Sequence, residues 1–363
     1  MKKLLLAATV ATLAMNAAQA APTLYGKLSV TLDNIDNNGF KDESVTKVNS
    51  NASRIGVKGE EKLTDNLSAV YLAEWEISAD GDGDVFKNRN RFVGVKSAGV
   101  ATLKVGQYDS YFKTAAGNNQ DIFNDHNELD MTAVLAGEDR LKNVIGFETD
   151  KKLLGGLAFN IMFQQGEESE AANSKAKGYE GSRDGFGDGV SASLTYENKD
   201  MGLAAAVAAN RAIASKFNAY DLSGIYTDAV RVTGSLDLGA MGASGLVLGA
   251  LWQTAQPTDD TVTVTKGTPA VVTSYKGLQE DAFGVTAAYA IPSTPVKLKA
   301  QYISATTEVD GMKDRQQDLY GVGADYQINK QARFYGIVAQ QKRDWLTKDD
   351  KKTNIGLGME YNF

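Results

Sequence analysis

The nine residues Ile355 to Phe363 alternate without a break: Ile355, Leu357, Met359, Tyr361 and Phe363 share one face of an extended strand. Asn354, Gly356, Gly358, Glu360 and Asn362 occupy the other. The sequence stops on the aromatic with no polar tail. In a soluble protein such an exposed apolar edge strand invites aggregation. A closed barrel in a membrane requires this pattern, with apolar side chains outside, polar ones inside and aromatics at the interface.

The N-terminal residues agree with export. Lys2 and Lys3 form a charged head, Leu4 to Met15 an apolar stretch, and Ala18-Gln19-Ala20 a small-residue cleavage site. The apolar stretch is too short to span a bilayer and no stop-transfer pattern follows. Residues 1–20 are therefore expected to be a signal peptide and 21–363 one folded unit.

With a mean hydropathy of −0.28 and 23% charged residues, the chain cannot be a helical membrane bundle. A barrel escapes that test because only alternate residues meet lipid. The longest uncharged stretch past the leader, Leu238 to Thr258, is broken by Gly239, Gly242, Gly245, Gly249 and Pro257, and reads as a turn plus a strand. Cysteine is absent, so stability must come from burial and a closed hydrogen-bond network. The net charge is −7; without Lys2 and Lys3, 36 basic face 45 acidic side chains, −9, which argues against nucleic acid as a partner.

Period-2 segments recur along the chain. Leu24, Gly26, Leu28, Val30 and Leu32 alternate with Tyr25, Lys27, Ser29, Thr31 and Asp33, and Tyr320, Val322, Ala324 and Tyr326 with Gly321, Gly323, Asp325 and Gln327. No helical stripe of comparable length competes. Sixteen strands are predicted, near 23–34, 51–62, 67–78, 88–97, 101–112, 141–151, 157–168, 189–199, 201–212, 223–238, 243–256, 282–291, 295–307, 317–328, 331–343 and 353–363. The even number suits an antiparallel barrel with both ends on one side. Tight turns at 63–66, 98–99, 198–200, 239–242, 292–294 and 329–330 alternate with long polar stretches at 35–50, 79–87, 113–140, 169–188, 257–281, 308–316 and 344–352. That is the layout of an outer-membrane barrel, with short periplasmic turns and long external loops. The all-β fold expected is thus a sixteen-stranded antiparallel transmembrane barrel.

Several stretches resemble the general porins of Gram-negative outer membranes: Thr23-Leu-Tyr-Gly-Lys27, Ser53-Arg-Ile-Gly-Val-Lys-Gly-Glu-Glu61, Asn66-Leu-Ser-Ala-Val-Tyr-Leu-Ala-Glu74, Asn90-Arg-Phe-Val-Gly-Val-Lys96, Leu103-Lys-Val-Gly-Gln-Tyr-Asp109, Arg140-Leu-Lys-Asn-Val-Ile-Gly-Phe147 and the closing Glu360-Tyr-Asn-Phe363. The match is dense over the first 150 residues and at the C-terminus; between them only the strand rhythm is shared. The resemblance implies a homotrimer of barrels in outer-membrane lipid, each a pore for small hydrophilic solutes and ions, and a third long loop folded into the lumen. Here that loop is 113–139, which holds Asp121, Asp125, Glu128, Asp130, Glu138 and Asp139 against one lysine. From the residues alone it could equally be a solvated acidic surface loop. The resemblance also implies a basic ladder on the facing wall, for which Lys27, Arg54, Arg91 and Arg140 are the fitting positions. Lys27 and Arg54 fall on the polar parity of their strands; Arg91 does so less clearly, because Phe92, Val93 and Val95 spoil the alternation. Tyr361 and Phe363 are the residues the resemblance assigns to the assembly signal.

Other chemistry is poorly supported. Asp80-Gly-Asp-Gly-Asp84 begins like a calcium loop, but Val85 stands where the turn glycine belongs and Arg91 where the bidentate glutamate belongs. Gly321-Val-Gly-Ala-Asp-Tyr326 lacks the third glycine of a dinucleotide site. The single histidine, His126, has no G-x-S-x-G elbow to serve. No metal, cofactor or catalytic residue is implied. The function expected is passive diffusion with a weak preference for cations. The alternatives are a channel specific for sugars or organic acids, and, less favoured, a barrel enzyme or adhesin.

Overall fold

The computed structural model describes residues 22–363 except 84–85, 168–176, 180 and 267–270; the expected leader and cleavage site lie outside them. The strands are β1 Thr23–Asp36, β2 Val45–Ser50, β3 Arg54–Lys62, β4 Leu67–Glu76, β5 Lys87–Ser97, β6 Ala101–Asp109, β7 Arg140–Thr149, β8 Leu157–Gln164, β9 Gly189–Asn198 and β10 Leu203–Phe217. They continue as β11 Leu222–Asp237, β12 Leu246–Pro257, β13 Thr261–Lys266, β14 Val271–Lys276, β15 Gln279–Ala290, β16 Val296–Glu308, β17 Arg315–Gln327, β18 Ala332–Arg343 and β19 Lys351–Asn362.

Every barrel strand pairs antiparallel with its neighbours, and β19 returns to β1 (Leu28 opposite Tyr361, Leu32 opposite Leu357), which closes the sheet. β2 and β3 follow each other along β1 and occupy one wall position, so the barrel has sixteen strands, as the alternation predicts. Between them Ala52 turns through φ 46° and Ser53 carries the lost ladder bonds on its side chain: its Oγ accepts from Ser29 N at 3.0 Å and donates to Ser29 O at 3.1 Å. The last bonds of the closure join Gly26 and Phe363, N to O, at 2.9 and 3.0 Å.

The wall is inside out relative to a soluble protein. Leu24, Leu28, Leu32, Ile355, Leu357 and Met359 are exposed, whereas Ser29, Thr31, Asp33 and Asn354 are buried. In lipid that outer band is solvated by acyl chains, and ring closure satisfies the backbone.

Three expectations need correction. The strand predicted over 101–112 ends at Asp109, because Ser110 caps a helical turn, Tyr111–Thr114, by accepting from Lys113 N. The stretch 35–50 is half strand, since β2 continues the wall past β3, pairing with Val30 to Ile35 of β1. The stretch 257–281 carries the β13–β14 hairpin, which pairs within itself and packs Val262 against Phe217, Leu222 and Leu278 over the external mouth.

Candidate functional site

After the cap at Ser110 the chain 113–139 turns into the barrel. It is held there by burial. Phe123, Leu129, Met131, Val134 and Leu135 pack on Leu251, Ile303, Leu319 and Ile337 of the wall. Phe112, Ala115 and Ala136 pack on Ala206, Ala208, Ala229 and Ala255. The returning arm is pinned by polar contacts. Glu138 pairs with Arg231 at 2.5 Å, both buried, and Arg231 also donates to Gln253 and stacks over Phe112 at 4.3 Å. Ala136 N donates to Glu280 Oε1 at 2.8 Å. A buried pair of this kind is costly to break by removing one partner, by about 3–5 kcal/mol.

At the loop's tip Asp125, with φ 66°, gathers cations from three strands. Its Oδ2 lies 2.8 Å from Lys27 Nζ and 2.6 Å from Arg54 Nη1, and its Oδ1 lies 3.7 Å from Arg89 Nη2. Burial opposes the charged carboxyl, but Arg54 and Lys27 outweigh it and hold Asp125 down to about 2. Arg89 also binds Glu74 at 2.6 Å and Glu76 at 3.3 Å. Tyr25 donates to Glu74 at 2.8 Å.

Arg91, in contrast, does not join this group. The β4–β5 register slips between Ala73 and Trp75, so Asn88 faces Trp75 and Arg91 faces Ala73. Arg89 and Asn90 both turn inward through the bulge, and Arg91 falls on the outward parity with the exposed Val93 and Val95, donating to Gln107 Oε1 at 3.2 Å. Arg89 therefore stands where the resemblance placed Arg91. The spoiled alternation at Phe92–Val95 was the trace of that bulge.

Arg140 is inward, donating to Asn90 Oδ1 at 2.6 Å and pairing with Asp109 at 3.1 Å. Glu128 pairs with Lys352 at 2.5 Å. Asp130 accepts from Thr132 N at 2.8 Å and from Asp125 N at 3.1 Å, which shapes the turn. Among the described residues the Asp121 carboxyl bonds only Asn124; burial, then Asp130 and Glu138, push it well above the usual range. Burial likewise raises Asp139, to about 7. His126 lies edge-on to Tyr335, its two ring nitrogens without a hydrogen-bond partner among the described residues, and burial lowers it to about 4.

Between the loop and strands β4 to β7 a polar cavity of about 330 Å³ remains. Arg89, Lys113 and Arg140 line it together with Glu76, Asp109, Asp125 and Asp130. Charges of both signs across a narrow polar gap, with low-dielectric walls behind them, orient solvent strongly and focus the field on any ion that enters.

A closed antiparallel barrel with an apolar outer band and a charged, loop-narrowed interior defines an outer-membrane channel. The sequence matches the Gram-negative porin family over residues 6–345, and the chain belongs to that family. It is 26% identical to the major outer membrane protein P.IB of Neisseria sicca over an alignment spanning all of both chains. It is 31% identical to P.IB of Neisseria meningitidis serogroup B over 183 residues, 48% of this chain and 53% of that one. Its fold superposes on the anion-selective porin from Comamonas acidovorans with a TM-score of 0.70 at 17% identity, covering 95% of this chain and 100% of that one. The protein is thus an outer-membrane diffusion channel, not an enzyme.

Proposed function

We propose that the gap between the inward loop and β4–β7 is the constriction through which small hydrophilic solutes and ions pass, with a weak preference for cations. The observation that carries this is the convergence of Lys27, Arg54 and Arg89 on Asp125, which ties the loop tip across the lumen and leaves one charged gap beside it. In that gap three basic side chains meet four carboxylates, and toward the outside Glu76, Asp80 and Asp82 surround a further polar cavity, where among the described residues Lys87 alone opposes them. The whole chain's charge of −7 has the same sign. Local and global fields both favour cations, modestly, because most of the loop's carboxylates are already paired or held neutral.

The functional unit is a homotrimer with cyclic symmetry, each subunit carrying its own gap. The exposed Val93 and Val95 and the outward Arg91, on the wall just behind the constriction, fit a face covered by a neighbour better than one left in lipid.

Zero-current potentials of single channels in planar bilayers, under a KCl gradient, test the preference. Liposome swelling with sugars of increasing size tests the passage of neutral solutes. A channel that conducts only in the presence of one solute class, or one strongly selective for anions, would sink the proposal.

A further inference from the structure

High on the inner wall, above the constriction, cations and rings alternate around the external mouth. The Arg315 guanidinium lies 4.0 Å from the centre of the Tyr220 ring and 5.4 Å from that of Trp345. Arg343 lies 5.5 Å from Trp345 and 4.0 Å from Phe40, and Lys352 lies 5.7 Å from Phe40. The six come from five separate parts of the chain: the turn after β10, the start of β17, the end of β18 with the loop after it, the loop after β1, and β19. Register puts Arg343 opposite the buried Gln317 and Lys352 opposite the buried Gln341, which fixes both on the inward parity.

What separates Arg315 and Arg343 from the constriction is the missing counter-charge. Lys27, Arg54, Arg89, Arg140 and Arg231 each have a carboxylate within 4 Å. Among the described residues Arg315 forms no ion pair and donates only to Ala219 O, at 2.8 Å. Arg343 forms no ion pair and no side-chain hydrogen bond, and its Nε is buried without an acceptor. Asp221, within electrostatic reach of Arg343, is paired with Lys216 at 3.7 Å, and Glu128 takes Lys352.

Stacking alone would account for the rings, since cation–π contacts rigidify a loop rim. It does not account for a planar five-donor group 4.0 and 5.5 Å from two ring centres with no acceptor among the described residues. A guanidinium fork presented this way matches a carboxylate in two parallel bonds, and the ring beside it offers a flat apolar surface for the rest of the molecule. We propose that Arg343, with Arg315 and Trp345, forms an external-mouth subsite for small aromatic carboxylates, which bind there transiently before reaching the constriction. The inference rests on the channel reading above, because the subsite lies in its outer vestibule.

Benzoate is the probe. Added on the external side of a single open channel in a planar bilayer, it is expected to cause brief, concentration-dependent current blocks, with acetate and benzyl alcohol much weaker at equal concentration. Arg343→Gln should raise the half-blocking benzoate concentration roughly ten-fold or more, the loss of one charged fork contact. Trp345→Leu should raise it for benzoate and leave acetate unaffected. The same recordings before addition report open conductance, so a channel that fails to conduct indicts the channel reading and not this one. Normal conductance with equal block by benzoate and acetate, or an unchanged block in Arg343→Gln, overturns the subsite.

Discussion

Asp125 is where one side chain has the largest leverage on the pore. Asp125→Asn keeps the shape and removes a charge that sits 2.6–2.8 Å from two cations and lines the gap. For an ion passing about 8 Å away, one unit charge is worth about 0.5 kcal/mol at the dielectric of water and about 2 kcal/mol at an effective value near 20. A cation loses that energy and an anion gains it, so their ratio feels twice the amount. Screening over about 10 Å at 0.1 M returns it to about 0.5–2 kcal/mol, a roughly two- to thirty-fold change in the cation-to-anion permeability ratio. A weak cation preference should therefore become an anion preference, visible as a sign change of the zero-current potential, and the shift should shrink toward 1 M salt. Asp121→Asn is the internal control. Before the fold is known both carboxylates look equally exposed to the lumen, but Asp121 is buried beside Asp130 and Glu138 and held largely protonated. At pH 6 its replacement should leave selectivity within the scatter of the wild type. If the two substitutions shift the potential equally, the charge at the gap is not the one assigned here, and the reasoning fails.

Further outcomes follow from the same geometry. Arg89→Ala should raise single-channel conductance and free Glu74 and Asp125 of a partner, whereas Arg91→Ala should leave conductance unchanged; the opposite pattern would refute the bulge assignment. Because burial keeps His126 at about 4 while an undocked loop would titrate near 6.5, protonation favours undocking as pH falls through that window, by up to about 3 kcal/mol at its lower end. Asp139, raised to about 7, works the other way: it stabilises the docked base of the loop as pH falls from about 7 toward 4. These contributions oppose one another, with the raised Asp121 acting on the same side as Asp139, so the check is a difference between proteins: between pH 6.5 and 4 the current noise from the loop tip should be lower in His126→Gln than in the wild type. Deleting Phe363 removes both closing bonds to Gly26 and the ring that lies where a Cβ on Gly26 would sit, 2.3 Å away; folded outer-membrane protein should fall far more than in Asn362→Ala. Unheated detergent gels should show a high-mass band that collapses to the monomer on boiling, and light scattering that finds only monomers in mild detergent would refute the trimer.

Much of the barrel was legible because lipid outside and polar lumen inside impose a strict two-residue period, and turns fall where that period breaks. Strand number and closure come from counting such segments. What stayed illegible is where the period itself fails. In an unbroken strand Lys87, Arg89 and Arg91 would share a face; the spoiled alternation at Phe92–Val95 marks a disturbance there, but not that the chain slips between Asn88 and Arg91 and sends Arg91 outward. The strand predicted over 201–212 stops short for a similar reason: Ala212 turns through φ 51° with its N–H donated to Asp228, and β10 then resumes as far as Phe217. Nothing within the strand predicted at 223–238 marks Arg231, though a buried arginine needs a carboxylate, here the loop's Glu138.

The docking of the loop does leave a trace in the sequence, in positions where the polar-inside rule is broken. A lumen wall facing solvent should carry polar side chains, yet β10 and β11 turn Ala206, Ala208 and Ala229 inward, and β12 and β15 to β18 turn in Leu251, Ala255, Ala282, Ile303, Leu319, Ile337 and Ala339, all buried. Side chains that are apolar on the inward parity need a cover, and one inward loop with a run of its own hydrophobics is long enough to give it. Close approach sets the sizes as well: a Cβ on Gly249 would lie 2.4 Å from Asn119 O, and one on Gly321 would lie 2.5 Å from Leu129. On the other side, β1 and β3 to β7 keep Lys27, Arg54, Arg89 and Arg140 inward and charged. The barrel interior thus has an apolar stretch that seats the loop, flanked by buried ion pairs such as Lys299–Asp325 and Arg231–Glu138, and a charged wall that faces the loop tip. A leucine at Gly321 tests the division directly. It should displace Leu129, loosen the loop tip and raise conductance and current noise together, while leaving the barrel's heat resistance on gels intact. Unchanged noise would mean that the loop is held by its ion pairs alone and not by the wall it rests on.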